Sequence, residues 1–465
     1  MRVYHLLIFI LLSGASLFAT LPQAITEMIN QEKIASENLS IVITDASSGV
    51  EVASLNPMVS RVPASVEKIA TAYAVLLDFG PNFRWPTQLF YRGTLKGGVL
   101  HGDIIVKGYG DPTLNAKDVK QFAKKIAAFG IRKIVGNIII DRSFFQNSPT
   151  ISSGFDKNFL SEYNAMPDAL MYNDHLNYIK IKPSKSGAKV VPLYGDRSFR
   201  LINRLKVNNQ ACRGKNAWPS LKYIKSPQRV DVVVEGSISS KCRSFTLHNV
   251  LSMPYSSFYY SFVKFLKDKG VTFSGALKLA TVPKDAKLLL THYSAPLKKI
   301  VAKTLKKSNN LYARHLFLAL GAKRYGYPAT LEKSRRAIKE ILGSKGVLAP
   351  TDFIDNGCGL SKRSRMLPVT AIRINQSAYR DFGNLWLQSL SIAGVDGTLK
   401  KRFAHSVVKR HAFMKTGTLK RAKNIAGFIK SKSGKLLNVA IFYNGAKIWL
   451  GRDIQNKIIT WLVQQ

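Results

Sequence analysis

The chain is short of acid. Against 70 lysines and arginines stand 27 aspartates and glutamates, a formal charge of +43 at pH 7 over 465 residues. Such a field favours anionic partners: nucleic acid, anionic lipid or an acidic wall polymer. The imbalance is uneven, since basic residues outnumber acidic ones by 33 to 7 in residues 298–465. Cysteine is scarce too, with Cys212, Cys242 and Cys358 alone. None stands at the end of the N-terminal apolar run, which argues against a bacterial lipoprotein. Three cysteines are compatible with an oxidising compartment. Cys212 and Cys242 are placed to close a loop with Cys358 left over, a pairing that sequence leaves open. The eight histidines show no His-Glu-x-x-His spacing, which argues against a zinc enzyme, and no metal or other cofactor is expected. Zinc-finger spacings and ribonucleoprotein motifs are missing as well, so no nucleic-acid partner is expected. There is no internal repeat and no low-complexity linker.

What is present begins with "MRVYHLLIFILLSGASLFA", a basic residue, an apolar stretch and small residues in that order. This is the layout of a secretory signal peptide over residues 1–19. The apolar stretch is short for a bilayer-spanning anchor. The reading is therefore an exported protein, periplasmic, soluble or peripherally membrane-associated, with envelope polymers as its anionic partners. Hydrophobic content of 46% and aromatic content of 10% fit a globular chain long enough for two or three domains.

Residues 37–57 alternate apolar and polar side chains about Ser47-Ser48-Gly49, the pattern of a β-hairpin. "RVPASVEKIATAYAVLLDFG" reads as a mostly buried helix that starts near Pro63 and Ser65 and stops at Gly80-Pro81. Residues 84–283 change texture: short β-like runs between Gly, Pro, Asn and Ser clusters, with one amphipathic helix, "NAKDVKQFAKKIAAFG". Helical periodicity returns after residue 294, and the chain ends with two alternating strands and a closing helix. These patterns predict an α/β (α+β) protein. Residues 20–83 and 284–465 form one helix-bearing domain, and residues 84–283 are inserted as one or two β-rich domains.

Three short motifs carry the chemistry. Ser65-Val66-Glu67-Lys68 places a hydroxyl and an amine one helical turn apart, on one face. The helix start leaves Ser65 a free backbone N–H, and the positive end of the dipole disfavours a charged Lys68. Ser308-Asn309-Asn310 falls at a break between two helical stretches; serine can pass a proton, and Asn310 can orient Lys68 and a substrate amide. Lys415-Thr416-Gly417, followed by Thr418, reads as a strand edge able to pair an extended peptide. There the ammonium and the Thr416 or Thr418 hydroxyl would hold a carboxylate, and Gly417 would leave room for a ligand. Each motif alone is common. Their order, Ser-x-x-Lys, Ser-x-Asn, Lys-Thr-Gly, is that of class A β-lactamases and penicillin-binding proteins.

With these motifs, and with "VPASVEKI", "GDIIVKGYGDPTL", "DNGCGLS" and "KTGTLKRAKNIAGFI" around them, the chain resembles a known family. This is the low-molecular-mass penicillin-binding proteins of the D-alanyl-D-alanine carboxypeptidase/endopeptidase type, serine peptidase family S13. The long gap between Ser65 and Ser308 suits that family, which carries extra domains there, and is too long for a compact β-lactamase. The resemblance implies a serine β-lactamase/transpeptidase-like domain, an antiparallel sheet flanked by helices. It implies Ser65 as acylated nucleophile, Lys68 as general base, and Ser308 and Asn310 on the proton-relay side. Lys415 with Thr416 or Thr418 would anchor the substrate carboxylate, and the N–H groups of Ser65 and Thr418 would form the oxyanion hole. The substrates implied are peptidoglycan stem peptides, with β-lactams as covalent inhibitors. Two departures stand out: Asn309 where the family usually has Asp, and Cys358 where it commonly has Ser. The high positive charge is not accounted for by the family.

Overall fold

The computed structural model describes residues 20–226 and 229–465; the expected signal peptide, 1–19, lies outside the described residues. Six antiparallel strands form the sheet that carries the site. Their spatial order is Ser391–Ile392, Ala412–Leu419, Ala422–Lys430, Leu436–Tyr443, Leu39–Asp45 and Glu51–Leu55. The two ends of the chain thus meet in one sheet, with Leu39 opposite Tyr443. Side chains alternate across the pleat. Val42, Ala426, Phe428, Ala440 and Phe442 face a core built on the helices Lys68–Phe79, Asn310–Tyr325 and Pro368–Phe382. Ile41, Ile43, Ile425, Val439 and Ile441 face the other way, onto the helices Gln23–Gln31 and Ile448–Gln464. Covered on both faces, the central strands are apolar along nearly their whole length. Each large aliphatic side chain so buried contributes about 1.5–3 kcal/mol.

The helix Lys68–Phe79 is buried from Lys68 through Leu76, which is why its sequence shows almost no polar face. Gly80, at φ 79°, ends it and donates its N–H to the Leu76 carbonyl.

The polypeptide leaves this unit at Trp85 and returns at Ser294, where Ser294 N–H donates to the Trp85 carbonyl. The strand Lys287–Tyr293 pairs with Pro86–Lys96, so the return lies beyond the expected boundary at 284. Between these points a seven-stranded mixed sheet packs on the helices Ala116–Ala128 and Pro254–Asp268. Asn115 and Asp118 form a capping box at the start of the first. The second helix corrects the expectation of a single helix in this stretch. Its "PYSSFYYSFVKFLKD" is rich in aromatics that suit strands, but Phe258, Phe262 and Leu266 recur at helical spacing and are buried, and Pro254 opens the first turn. Residues 177–249 add two three-stranded sheets around Ile179, Ile181, Val232 and Val234. Cys212 and Cys242, whose pairing sequence left open, are disulfide-bonded there, and Cys358 is free and buried. Among the described residues no helix is long and apolar enough to cross a membrane.

Candidate active site

Ser65 sits in a 3-10 turn, Ala64–Glu67, that runs into the buried helix Lys68–Phe79. The turn is held against the sheet from just upstream. The Val62 N–H donates to Asn444 Oδ1 at 2.8 Å, and Asn424 Nδ2 donates to the Val62 carbonyl at 2.8 Å. Lys68 is completely buried. Its ammonium donates to Ser65 Oγ at 2.9 Å, to Asn310 Oδ1 at 2.7 Å and to the Cys358 carbonyl, which uses all three N–H bonds. Burial pushes its pKa down to about 8, and the Arg314 charge pushes the same way against the pull of Cys358 and Glu67. An amine with that proton affinity, one hydrogen bond from a hydroxyl, can act as a base near neutral pH.

The Cys358 carbonyl is presented by a tight loop. Gly357 and Gly359 stand at φ 71° and 73°, and Asn356 Oδ1 accepts from the N–H groups of Cys358 and Gly359, each at 3.1 Å. A Cβ on Gly359 would lie 1.9 Å from the Ala64 carbonyl oxygen, so glycine is what lets this loop reach the Ser65 turn. The unusual cysteine contributes its backbone here, while its Sγ lies 3.1 Å from Asn356 Oδ1.

The helix Leu297–Lys307 ends at Ser308, which adopts the left-handed conformation at φ 54°. Asn309 then caps the next helix, accepting from the Tyr312 N–H at 2.9 Å. Its side chain is therefore turned to its own helix. Ser308 and Asn310 face inward. Asn310 Nδ2 donates to the Tyr163 carbonyl at 2.9 Å, which fixes the amide so that its oxygen faces Lys68. Tyr163 belongs to the inserted stretch, which docks along the same helix. Tyr312 donates to Asp174 Oδ1 at 2.8 Å, Arg314 donates to the Ala165 carbonyl, and Leu311 packs with Ala165, Met171 and Val250.

On the strand Ala412–Leu419, Lys415 is completely buried and donates to Ser308 Oγ at 2.9 Å and to the Thr416 carbonyl. Burial pushes its pKa well down, and the Lys68 charge adds to the effect. Thr416 Oγ1 donates to Thr398 Oγ1 at 2.8 Å, and exposed Thr418 accepts from Lys423 at 3.1 Å. A Cβ on Gly417 would come within 2.7 Å of the Pro63 carbonyl oxygen and 3.0 Å of Ser65 N. The glycine therefore lets the strand lie beside the serine turn, a closer partner than the ligand expected there.

Seven of the eight sequence-predicted residues are thus gathered at the cleft, while the hydroxyl of the eighth, Thr416, is engaged with Thr398. Ser65, Ser308, Asn310 and Thr418 line a cleft of about 1020 Å³, and Lys68, Lys415 and Gly417 lie buried behind them. Motifs did not point to the opposite wall, where Phe155, Asp156 and Tyr163 of the insertion meet Leu360 and Lys362. They also missed the carbonyls of Cys358 and Tyr163, because every residue has one and no spacing marks those that matter.

A serine and lysine at a helix start, a serine and asparagine at a second, and a lysine-threonine-glycine strand between them define a serine acyl-enzyme frame of the penicillin-interacting kind. The chain matches the D-Ala-D-Ala carboxypeptidase 3 (S13) family over residues 21–465 and belongs to it. It is 25% identical over 426 residues to the D-alanyl-D-alanine carboxypeptidase DacB of Haemophilus influenzae, covering 88% of this chain and 85% of that protein. It is 25% identical over 415 residues to a D-alanyl-D-alanine carboxypeptidase of Actinomadura sp., covering 85% of this chain and 76% of that one. The crystal structure of penicillin binding protein 4 (dacB) from Haemophilus influenzae shares the fold. Its TM-score is 0.78 at 24% identity, covering 94% of this chain and 99% of that one.

Proposed function

We propose that the protein is a serine D-Ala-D-Ala carboxypeptidase that works on peptidoglycan stem peptides through an acyl-enzyme on Ser65. The observation that carries this reading is the 2.9 Å contact between Ser65 Oγ and the buried Lys68 amine. Neutral Lys68 takes the Ser65 proton as Oγ attacks the carbonyl of the penultimate D-Ala. The negative charge on that oxygen is met by the N–H groups of Ser65 and Thr418. Collapse of the tetrahedral species breaks the peptide bond. The proton that Lys68 took is passed to the departing D-Ala amine by way of Ser308, which lies between Lys415 and the cleft, so that Lys68 is neutral again for the second step. Water then attacks the ester with Lys68 again as base, releasing the shortened stem and restoring Ser65. The terminal carboxylate of the substrate rests against Lys415 with Thr416 or Thr418. It supplies a counter-charge to a lysine whose proton affinity burial has lowered. In a peptide cross-link the same D-Ala carbonyl is joined to an amine of a neighbouring stem; attack there by Ser65 with that amine as the leaving group would give endopeptidase action, and β-lactams acylate the same serine.

The catalytic domain takes both ends of the chain, residues 20–83 and the residues that follow the strand Lys287–Tyr293. That strand pairs with Pro86–Lys96 and so goes with the insertion rather than with a domain resuming at 284. The intervening stretch is one or two inserted domains that supply one wall of the cleft. Residues 1–19 direct export to the periplasm. The basic surface retains the enzyme on anionic envelope polymers; elution from isolated sacculi by high salt is the expected result, and retention unaffected by salt would refute the electrostatic part.

Intact-protein mass spectrometry after incubation with benzylpenicillin tests the core of the proposal. A single adduct on the mature protein, absent from Ser65→Ala, is expected. A folded protein that forms no adduct and leaves the drug intact would refute it. Hydrolysis of the drug without a lasting adduct would point instead to a β-lactamase.

A further inference from the structure

Residues 201–250 hold nine basic and two acidic residues, and they present a site that the acyl-enzyme chemistry does not use. Trp218 is 73% exposed, the most exposed large hydrophobic side chain among the described residues. A single exposed apolar residue is ordinary; its surroundings here are not. The loop that holds it is tied down by the Cys212–Cys242 disulfide and by buried Asn216, which donates to Gln210 Oε1 at 2.7 Å and accepts from Asn208 Nδ2 at 3.0 Å. Phe245 meets the indole edge to face, ring centres 6.3 Å apart, and steadies its plane. The indole lies at the rim of a concavity of about 690 Å³ that is lined also by Arg213, Lys241 and Arg243 and by no acidic residue. These three cations are exposed and make no ion pair among the described residues.

A rigidly held, exposed indole face offers an apolar plane, and the adjoining guanidinium and ammonium groups offer paired donors to carboxylates. A lipid surface calls instead for an amphipathic helix with an apolar face. The combination suits a polymer of sugar rings that carries acidic groups at intervals. We infer that the Trp218 concavity is a second docking site, separate from the cleft, for the glycan strand of peptidoglycan, with its cations on the carboxylates of the attached stems. The inference rests on the proposed function for the identity of the polymer. Holding the strand outside the cleft would keep the enzyme on an insoluble substrate between turnovers without adding any contact to the reacting bond.

The test uses the full mature protein with Ser65 blocked by benzylpenicillin, or, if no adduct forms, Ser65→Ala with its cleft filled by excess soluble D-Ala-D-Ala peptide, so that binding does not read the cleft. Co-sedimentation with purified sacculi is measured for the parent, Trp218→Ala, Arg213→Ala/Arg243→Ala, and Lys432→Ala/Lys435→Ala, a surface control that removes the same charge as the double arginine variant. Trp218→Ala and the double arginine variant are each expected to weaken binding roughly tenfold, and the control by less than about twofold. Unblocked Trp218→Ala should cleave a soluble D-Ala-D-Ala peptide at the parent rate. Equal binding by Trp218→Ala and parent, or an equal loss in the control, would overturn the site. Failure of the parent to cleave the soluble peptide would count against the catalytic reading and leave the binding result to be judged alone.

Discussion

Asn310 donates its amide to the backbone carbonyl of Tyr163 at 2.9 Å and accepts from Lys68 at 2.7 Å, so one side chain joins the inserted stretch to the candidate base. The insertion therefore does more than form a wall of the cleft. Its carbonyl decides which end of the amide the lysine meets, and hence whether the lysine sees an oxygen or an N–H.

Asn310→Asp should expose that dependence. A carboxylate in place of the amide would repel the Tyr163 carbonyl and stabilise the Lys68 ammonium, raising the lysine pKa above about 8. Each unit of that rise costs about tenfold in the neutral base available at pH 7. Benzylpenicillin acylation followed against pH should show a lower rate at neutral pH and a rising limb displaced to higher pH.

The parent protein should show that limb in its ordinary place. The proposed role of Lys68 as base requires its neutral form, and burial has lowered its pKa to about 8, so the acylation rate should climb from pH 6 and level off above pH 8. Lys68→Arg, a cation at any accessible pH, should lose acylation entirely while remaining folded by circular dichroism. A flat profile across this range would remove Lys68 from the role of base.

Gly417→Ala puts a methyl group 2.7 Å from the Pro63 carbonyl oxygen and 3.0 Å from Ser65 N, both backbone atoms. The strand must retreat from the serine turn. Overpacking of this kind costs roughly 1–3 kcal/mol, and misplacement of the oxyanion donors costs catalysis roughly 100-fold. Thermal denaturation and acylation rates together would show a modest drop in Tm with a large loss of acylation. Unchanged acylation would mean that the strand's closeness to Ser65 is not needed.

Glu67 yields a stability prediction. Its carboxyl is fully buried beside Lys68, with Oε1 accepting the Gly359 N–H at 3.2 Å, and burial pushes its pKa up to about 7 from 4.5. The folded protein therefore holds a proton that the unfolded chain has released. Stability should fall as pH rises from about 4.5 to 7, by up to about 3 kcal/mol. Glu67→Gln cannot ionise and should show a shallower slope, with the remainder coming from buried Asp111, which burial also raises to about 7 in both proteins. Urea denaturation at pH 4.5 and pH 8 would compare the two proteins. The slope is the readout rather than absolute stability, because the added amide N–H brings its own hydrogen-bonding cost.

Much of this architecture is legible along the chain where the causes are local. The hairpin at 39–55 shows in its alternation and turn residues, and the helix after Ser65 shows in its unbroken apolar run ended by Gly80. Asn115 and Asp118 mark their helix by capping chemistry that needs only three residues. The helix Pro254–Asp268 was obscured because aromatic residues suit strands by propensity, while their burial against the neighbouring sheet decides the outcome.

The sequence by itself determined which reactive groups the protein carries and how each pair is spaced within a turn. Ser65 and Lys68, Ser308 and Asn310, and Lys415 and Gly417 are local relationships set by helix and strand geometry. Only the tertiary structure decided what surrounds them. Burial depresses the proton affinity of Lys68 and Lys415, and the Cys358 and Tyr163 carbonyls complete the hydrogen bonds of Lys68 and Asn310. Phe155 and Asp156 close one side of the cleft. These are contacts between segments far apart in the chain. They arise from the packing of whole elements and from the exclusion of water between them, which no local pattern of residues encodes.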